Sequence, residues 1–414
     1  RSLTGMTTPR SNAAVRLTAA ADLGVPPVPR VPITHQPVVG VSLVLIAATC
    51  VQIVVYLVNA QFLARAGDIV IEPPSPLVAS GQTYEWFTSS IERMDVFGVP
   101  AERVSFSVLL VLTILSSVGW YTVGRKFLGP AWAIACGGLW AGHPLFGFLA
   151  QRPSPLTLCL VCVPFAWAVI LWWYRSGRRR VAFLAGLLAG ASTFVSLALG
   201  LAFVLSVPVL FATGRVTQRR PWPAFALIWL GFLLPMLVAA ELVRHSLAAN
   251  PLIEFQTDLL RVLEDESTPV APTLTAEVGP TGATSELSPR RVLALLSDSV
   301  KRSPFQWIGW LSGRAWRTVY ATADGHFERP LFAVQMAVML PAVWGAVVCL
   351  RQSFWRWPAI AGLILLGTHW LMAMLVEPLA RSLAPAGGVI VLFALVGVVD
   401  LYERAFGRQL QAPG

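Results

Sequence analysis

The sequence predicts an all-α polytopic membrane protein with about ten transmembrane helices and with amphipathic helices on its outer face. Hydrophobic residues make up 56% of the 414 residues and charged residues only 13%, which is about half the charged share of a soluble domain. Apolar runs of about 20 residues also recur along almost the whole chain, and a helix of that length crosses a hydrocarbon core. These two observations predict the class of protein before any motif is considered.

The clearest runs form a helical hairpin from Ala131 to Tyr174. Two apolar runs, 131–150 and 156–174, flank a turn that reads Arg152-Pro153-Ser154-Pro155. Prolines end helices and a charge resists burial in lipid, so the turn is predicted at a membrane surface. A basic cluster follows the second run and indicates the opposite surface. It consists of Arg175, Arg178, Arg179 and Arg180.

Ten predicted spans divide the chain into five parts. A disordered cytoplasmic tail, 1–37, precedes an N-terminal membrane module, 38–244, whose first outer loop is 64–103. An extracytoplasmic insertion, 245–328, then precedes a C-terminal membrane module, 329–402, and a cytoplasmic tail, 403–414. The spans lie at 38–63, 104–123, 131–150, 156–174, 181–196, 197–213, 224–242, 331–350, 359–376 and 386–401.

The insertion is predicted to have three segments. Apolar residues recur at helical spacing from Leu252 to Leu263. The middle segment, 267–289, is rich in Thr, Pro, Gly and Ser and predicts a mobile loop. From Arg290 to Tyr320, tryptophans alternate with basic residues, which is typical of helices that lie in the headgroup layer. We therefore expect one or two amphipathic helices along the outer membrane surface.

The distribution of charge predicts the orientation. With both termini in the cytoplasm, the inner segments hold 17 of the 31 basic residues and only 3 of the 21 acidic ones, as the positive-inside rule requires. The net charge of +10 therefore indicates membrane orientation and not a nucleic-acid partner. Cys159 and Cys162 form a C-x-x-C inside a span, where we expect two small apolar residues and no metal site. The compartment predicted is the bacterial cytoplasmic (inner) membrane.

Four stretches carry a resemblance to a known family. In chain order, they run from Gly124-Arg125-Lys126 through His143-Pro144-Leu145 to Gln151-Arg152-Pro153, from Arg179 to Ser196, from Trp310 to Glu328, and from Glu377-Pro378-Leu379-Ala380-Arg381 to Pro385. Their order and topology resemble the GT-C membrane glycosyltransferases, in particular the protein mannosyltransferase and aminoarabinose transferase branch. The resemblance covers about residues 38–405.

The resemblance implies a function. A sugar would pass from a polyprenyl-phosphate donor to an acceptor on the outer face, so the expected partners are a polyprenyl-phosphate-linked sugar and membrane lipid. A divalent metal ion is a cofactor that the resemblance allows, although the sequence predicts no set of metal ligands. Cationic groups would assist loss of the lipid phosphate, and Arg381, Arg152 and His143 are the predicted phosphate or lipid ligands.

The resemblance also implies a carboxylate that deprotonates the acceptor or holds the metal. Family members often carry an Asp-Gly-x-x-Tyr-like pattern in the first outer loop, where this chain reads Ser80-Gly81-Gln82-Thr83-Tyr84. Serine thus stands where the acid is expected, and Gln151 stands where some members place another acid. The remaining candidates for the catalytic carboxylate are Glu85, Asp68 and Glu72, in that order.

Two alternatives stay open at this point. The chain could be a catalytically silent GT-C relative that serves as a structural subunit or lipid-binding scaffold of a membrane complex. It could also be a transporter, but no span pairs an acid with a base and the two halves do not look alike. A carboxylate beside Arg381 would separate the enzyme from the scaffold.

Overall fold

The computed structural model describes residues 37–66, 101–143, 155–212, 222–244, 268–269, 289–322, 328–375 and 378–406. These residues form helices with short turns between some of them, and no strand occurs among them. The helices, numbered α1 to α12 in chain order, are Pro37–Ala66, Ala101–Phe127, Pro130–Ala141, Pro155–Ser176, Arg179–Thr193, Leu197–Ala212, Trp222–Arg244, Pro289–Arg302, Pro304–Tyr320, Glu328–Arg351, Arg356–Leu375 and Ala380–Phe406.

Each of the ten predicted spans falls on one of these helices, and α3 accounts for the first part of the span 131–150. Five helical stretches are long and apolar enough to cross a membrane, namely Pro37–Val54, Leu158–Ser176, Glu328–Arg351, Arg356–Leu375 and Ser382–Phe406. Two shorter apolar stretches are Leu197–Ala212 and Trp222–Val238. The all-helical class is therefore confirmed for the described residues, and the five apolar helices are consistent with a membrane protein, whereas crossing by all ten spans stays a prediction.

Helix α12 is the centre of the bundle. Its apolar stretch Ser382–Phe406 contains an 18-residue window of which 94% is buried, as expected for a helix surrounded by other helices. It packs against α2, α3, α4, α9, α10 and α11. At Gly388 a Cβ atom would overlap the buried indole of Trp120. Glycine is therefore required there for α2 and α12 to approach.

Tryptophans fill the centre of the bundle between α2, α3 and α4. The rings of Trp120 and Trp140 lie 5.9 Å apart, and those of Trp120 and Trp167 lie 5.8 Å apart. All three side chains are nearly or fully buried. Tilted and edge-on contacts of this kind are favourable for aromatic pairs, so this cluster fixes how the three helices meet α12.

The bundle has two distinct ends. We call the end where α2 and α4 finish and α11 begins the basic end. There the Phe127 ring stacks on Trp355 at 5.2 Å. We call the other end, where α3 and α11 finish and α12 begins, the α9 end. There the Ala380 amide donates to the Ala321 carbonyl just beyond α9, at 2.9 Å. This grouping of helix ends agrees with the alternation of the predicted spans.

The amphipathic segment forms two helices, α8 and α9, joined at Ser303. Helix α9 packs against α10, α11 and α12. Trp307 is buried and its indole donates to Ser299 Oγ at 3.0 Å, while Trp316 lies against Phe332 of α10. The prediction of one or two helices here is therefore confirmed, and two of the tryptophans pack on the protein itself. The predicted helix 252–263 lies outside the described residues.

Candidate functional site

The predicted site residues divide between the described part of the chain and the rest. Arg381 is the second residue of α12, and His143 lies just beyond the end of α3. Arg152 and the candidate acids of the first outer loop, Glu85, Asp68 and Glu72, lie outside the described residues, as do Ser80 and Gln151. Both described members belong to helix ends at the α9 end, so the structure brings these two backbone positions to the same end of the bundle.

A chain of contacts connects His143 to α12. The imidazole of His143 stacks on the Trp140 indole, with centroids 5.9 Å apart and planes at 30°. The Trp140 ring in turn lies against Gly387, where an added Cβ would be 3.2 Å from it. Arg381 precedes Gly387 by six residues, which is roughly 9 Å along a helix. His143 therefore lies near the first turns of α12.

Hydrogen bonds between side chains and backbone tie four helices together beneath His143. Trp140 Nε1 donates to Ser116 Oγ at 3.1 Å, and that hydroxyl donates to the Leu160 carbonyl at 2.5 Å. Gln52 Nε2 donates to the Ala141 carbonyl at 3.5 Å, the limit of such a bond. Because these groups are buried, the bonds fix the end of α3 relative to α1, α2 and α4.

Three buried polar atoms in this region have no hydrogen-bond partner among the described residues. They are Gln52 Oε1 on α1, Ser117 Oγ on α2 and His143 Nδ1 beyond α3. His143 is 8% exposed and Gln52 only 1%. Leaving a buried polar atom unpaired costs about 1–3 kcal/mol, so such atoms are uncommon and call for an explanation. The three atoms lie on, or just beyond, helices that pack against one another, although buried atoms without a partner among the described residues also occur elsewhere in the bundle, for example at Trp173 Nε1.

The N-terminus of α12 adds positive potential to this end of the bundle. The first amide groups of a helix have no acceptors within the helix itself. Two of those in α12 find acceptors outside it, since the Ala380 amide donates to Ala321 and the Ser382 amide donates to Leu379. The helix dipole places a partial positive charge there. A phosphate is the kind of group that such an end attracts.

One carboxylate that sequence reasoning missed lies beside this helix end. Glu328 Oε1 accepts from the Thr322 amide at 3.2 Å, and the neighbouring residue Ala321 accepts from Ala380. Glu328 therefore stands next to the start of α12. It also begins α10, where an acidic residue favours the helix dipole. Gln52, Ser117 and Trp140 were missed as well, although polar residues inside apolar runs give a signal for such positions.

A second buried histidine lies elsewhere in the bundle. His369 is buried in α11, where its Nδ1 lies 3.1 Å from the Leu365 carbonyl and its Nε2 has no partner among the described residues. Among the residues that are described, no group of three or more His, Cys, Asp and Glu side chains could hold a metal ion. Cys159 and Cys162 are free thiols.

Comparison with known proteins adds no assignment: no family model matches the chain, and no curated protein matches it. The resemblance to GT-C glycosyltransferases therefore stays a prediction from the sequence.

Proposed function

We propose that this chain is a GT-C-like glycosyltransferase of the bacterial cytoplasmic membrane that uses a polyprenyl-phosphate sugar as donor. In this proposal it has ten spans, both termini are cytoplasmic, and the α9 end faces outward. The observation that supports it most is the meeting of two features at the α9 end. One is the N-terminus of α12 with Arg381, and the other is His143, whose buried Nδ1 has no hydrogen-bond partner among the described residues.

The proposed chemistry assigns a role to each feature. The bond between the sugar's anomeric carbon and the phosphate oxygen breaks, and polyprenyl phosphate leaves with an added negative charge. The Arg381 guanidinium and the α12 amides would stabilise that charge. The acceptor hydroxyl forms the new bond to the anomeric carbon and gives its proton to a carboxylate. Glu85 and Asp68 are the candidates from the sequence, and Glu328 is the candidate from the structure.

The test compares two arginines in equivalent places. Arg381 and Arg329 are each the second residue of an apolar helix that begins at the α9 end, and Arg329 is exposed. Transfer from purified polyprenyl-phosphate sugars should fall about 100-fold in Arg381→Ala, with donor binding weakened about tenfold. Arg329→Ala should transfer at nearly the wild-type rate. Equal losses in the two variants would contradict the proposal.

The carboxylates are tested in the same assay. Glu85→Gln should abolish transfer and leave donor binding nearly intact, because the base acts on the acceptor and not on the phosphate. Asp68→Asn and Glu328→Gln are the parallel variants. If Glu328→Gln stops transfer while Glu85→Gln does not, the base is Glu328. If all three variants keep full transfer activity, none of these carboxylates is the base, and the proposed role of a carboxylate is contradicted.

A silent scaffold is the second candidate function, and a specific observation favours it. Ser80 and Gln151 stand at positions where the resemblance predicts acids, and Glu328 already accepts from the Thr322 amide. Such a protein would hold polyprenyl phosphate at the α9 end without cleaving a sugar from it, and would act within a membrane complex. Wild-type protein that binds the lipid, transfers nothing and is unchanged by Glu85→Gln would establish this function.

The orientation has its own test. Single cysteines at Ser176 and Thr281, introduced in a chain without its native cysteines, should react with a membrane-impermeant reagent from opposite sides. Ser176 ends α4 at the basic end, and Thr281 belongs to the predicted outer insertion. Labelling of both from one side would contradict the topology.

A further inference from the structure

Three cations come together at the basic end. Arg125 and Lys126 lie in the last turn of α2, and Arg175 lies in the last turn of α4. Arg175 Nη2 donates to the Lys126 carbonyl at 2.5 Å, so its guanidinium is held beside α2. The charges of Arg175 and Arg125 both act on the Lys126 ammonium. We call these three residues the cation cluster.

No carboxylate neutralises the cation cluster within the described part of the chain. An ion pair that the described residues do form is a separate one within α12, between Arg404 and Asp400 at 2.7 Å. Burial leaves one guanidinium nitrogen of Arg125, Nη1, without any hydrogen-bond partner among the described residues. A buried charged donor without a partner is costly, so an anion from outside the chain is the group that this arrangement favours.

Aromatic side chains pack against the Arg175 member of the cluster. The Arg175 guanidinium lies over the Phe354 ring at 5.2 Å and over the Trp355 ring at 5.7 Å. Phe354 is 48% exposed, and Trp172, one turn before Arg175, is 43% exposed. Exposed aromatic rings at the end of an apolar helix are typical of a membrane–water interface. The cluster is thus predicted at headgroup depth.

We propose that Arg125, Lys126 and Arg175 bind the phosphodiester headgroup of an anionic phospholipid in the leaflet at the basic end. Basic pockets between membrane helices recognise such headgroups. A phosphodiester oxygen accepts from both an ammonium and a guanidinium, and the acyl chains would contact the apolar surfaces beside Trp172 and Phe354. The site lies at the opposite end from Arg381 and does not depend on the proposed transfer reaction.

The geometry favours a lipid over a free phosphate or a nucleic acid. Arg175 is fixed by a backbone carbonyl and two aromatic rings, so part of its donor set is already occupied. Three cations on two adjacent helix ends suit a single headgroup, whereas a nucleic acid needs a longer track of charges. The exposed aromatic rings add affinity only for a ligand with an apolar part.

The first experiment uses the full chain in an uncharged detergent and compares three ligands by native mass spectrometry. Phosphatidylglycerol should bind at least about tenfold more tightly than phosphatidylcholine, because the choline ammonium offsets the phosphate charge. Glycerol 3-phosphate, which has the phosphate but no acyl chains, should bind more weakly still. Equal binding of the two lipids would overturn the proposal, and so would equally tight binding of glycerol 3-phosphate.

The second experiment uses variants with the same loss of charge. Lys126→Gln and Arg175→Gln should each weaken phosphatidylglycerol binding about tenfold. Arg180→Gln removes an exposed arginine of α5 at the same end and should weaken it less than about twofold. A loss in Arg180→Gln as large as in the other two would show diffuse surface attraction and overturn the site. Two variants are used so that, if one misfolds, the other still tests the site. The thermal unfolding temperature of each variant without lipid shows whether it is folded.

Discussion

The two ends of the bundle hold arginines with the same local contacts in different surroundings. At the α9 end, Arg314 Nε donates to the Met374 carbonyl at 2.5 Å, and its guanidinium lies 4.7 Å from the Trp310 ring centroid. At the basic end, Arg175 donates to the Lys126 carbonyl and also lies over aromatic rings. In both cases an arginine binds a carbonyl near the end of a neighbouring helix, where the dipole favours a cation.

The two ends differ in the side chain of the residue whose carbonyl accepts the hydrogen bond. The carbonyl partners of Arg314, Met374 and Leu375, carry apolar side chains, so the contact joins α9 to α11. The carbonyl partner of Arg175 belongs to a lysine that lies beside a further arginine. The same capping bond therefore adds stability at one end and gathers positive charge at the other. Capping geometry alone does not indicate a ligand site, whereas uncompensated charge does.

The largest effect is expected in α12, which connects the two ends. Gly388→Ala places a methyl group within the volume of the Trp120 indole, and that ring is fully buried against Trp140 and Trp167. Overpacking of this kind costs about 1–3 kcal/mol, and we expect the upper part of the range. Thermal unfolding monitored by tryptophan fluorescence measures it.

The matched control for this substitution is Gly367→Ala in α11. A Cβ atom there meets no other atom within 4 Å, so its unfolding temperature should stay close to wild type. If Gly388→Ala unfolds at the same temperature as Gly367→Ala, the close approach of α2 and α12 is wrong, and with it the connection between the two ends.

A smaller effect should distinguish the two capping arginines. Arg314→Met loses charged hydrogen bonds to two carbonyls and the ring contact, and should destabilise by about 2 kcal/mol. Arg175→Met loses one such bond, but it also removes a cation from beside Lys126, so about half that loss is expected in uncharged detergent. Unfolding of both variants with and without phosphatidylglycerol gives the comparison. Arg175→Met should lose most of the stabilisation by lipid, and Arg314→Met should keep it. The reverse order would contradict the assignment of the two arginines.

The sequence predicted the helices better than their packing. Runs of apolar residues follow from the requirement to cross a bilayer, so every predicted span overlaps a described helix, although the span 131–150 does so only in its first part. Contacts between distant helices leave no such periodic signal. The proximity of Trp140 to Gly387 depends on which helices are neighbours, and a single sequence does not give that. The hydrogen bonds from Arg314 of α9 to carbonyls at the end of α11 were missed for the same reason.

The candidate site was predicted in part. His143 and Arg381 were selected from motif order, and both lie at the same end of the bundle because α3 ends where α12 begins. Gln52 and Ser117 were not selected, although each is a polar residue within an apolar run. Glu328 was not selected either, because its closeness to α12 follows from a backbone contact at Ala321 between residues distant in the sequence. The candidate carboxylates Glu85 and Asp68 lie outside the described residues and stay predictions.

The smallest effect concerns the protonation of Lys126, which lies beyond the predicted span 104–123. Burial, and after it the charges of Arg175 and Arg125, lower the pKa of this ammonium from the ordinary 10.5. The folded chain therefore releases the proton at a lower pH than the unfolded chain does. It follows that the contribution of Lys126 to stability rises with pH through the window between the lowered pKa and 10.5.

Phosphatidylglycerol should raise the pKa of Lys126 back towards 10.5, because an adjacent phosphate favours the charged form. The chain's two lysines are Lys126 and Lys301, so reductive ¹³C-dimethylation gives few resonances, and their chemical shifts can be followed against pH. The midpoint for Lys126 should move upward with phosphatidylglycerol and stay in place with phosphatidylcholine. In Arg175→Gln the lipid-free midpoint should already lie higher, since one repelling charge is gone, and the response to lipid should shrink. If the titration midpoint of Lys126 does not change with phosphatidylglycerol, or changes equally with both lipids, the cation cluster binds no anionic headgroup.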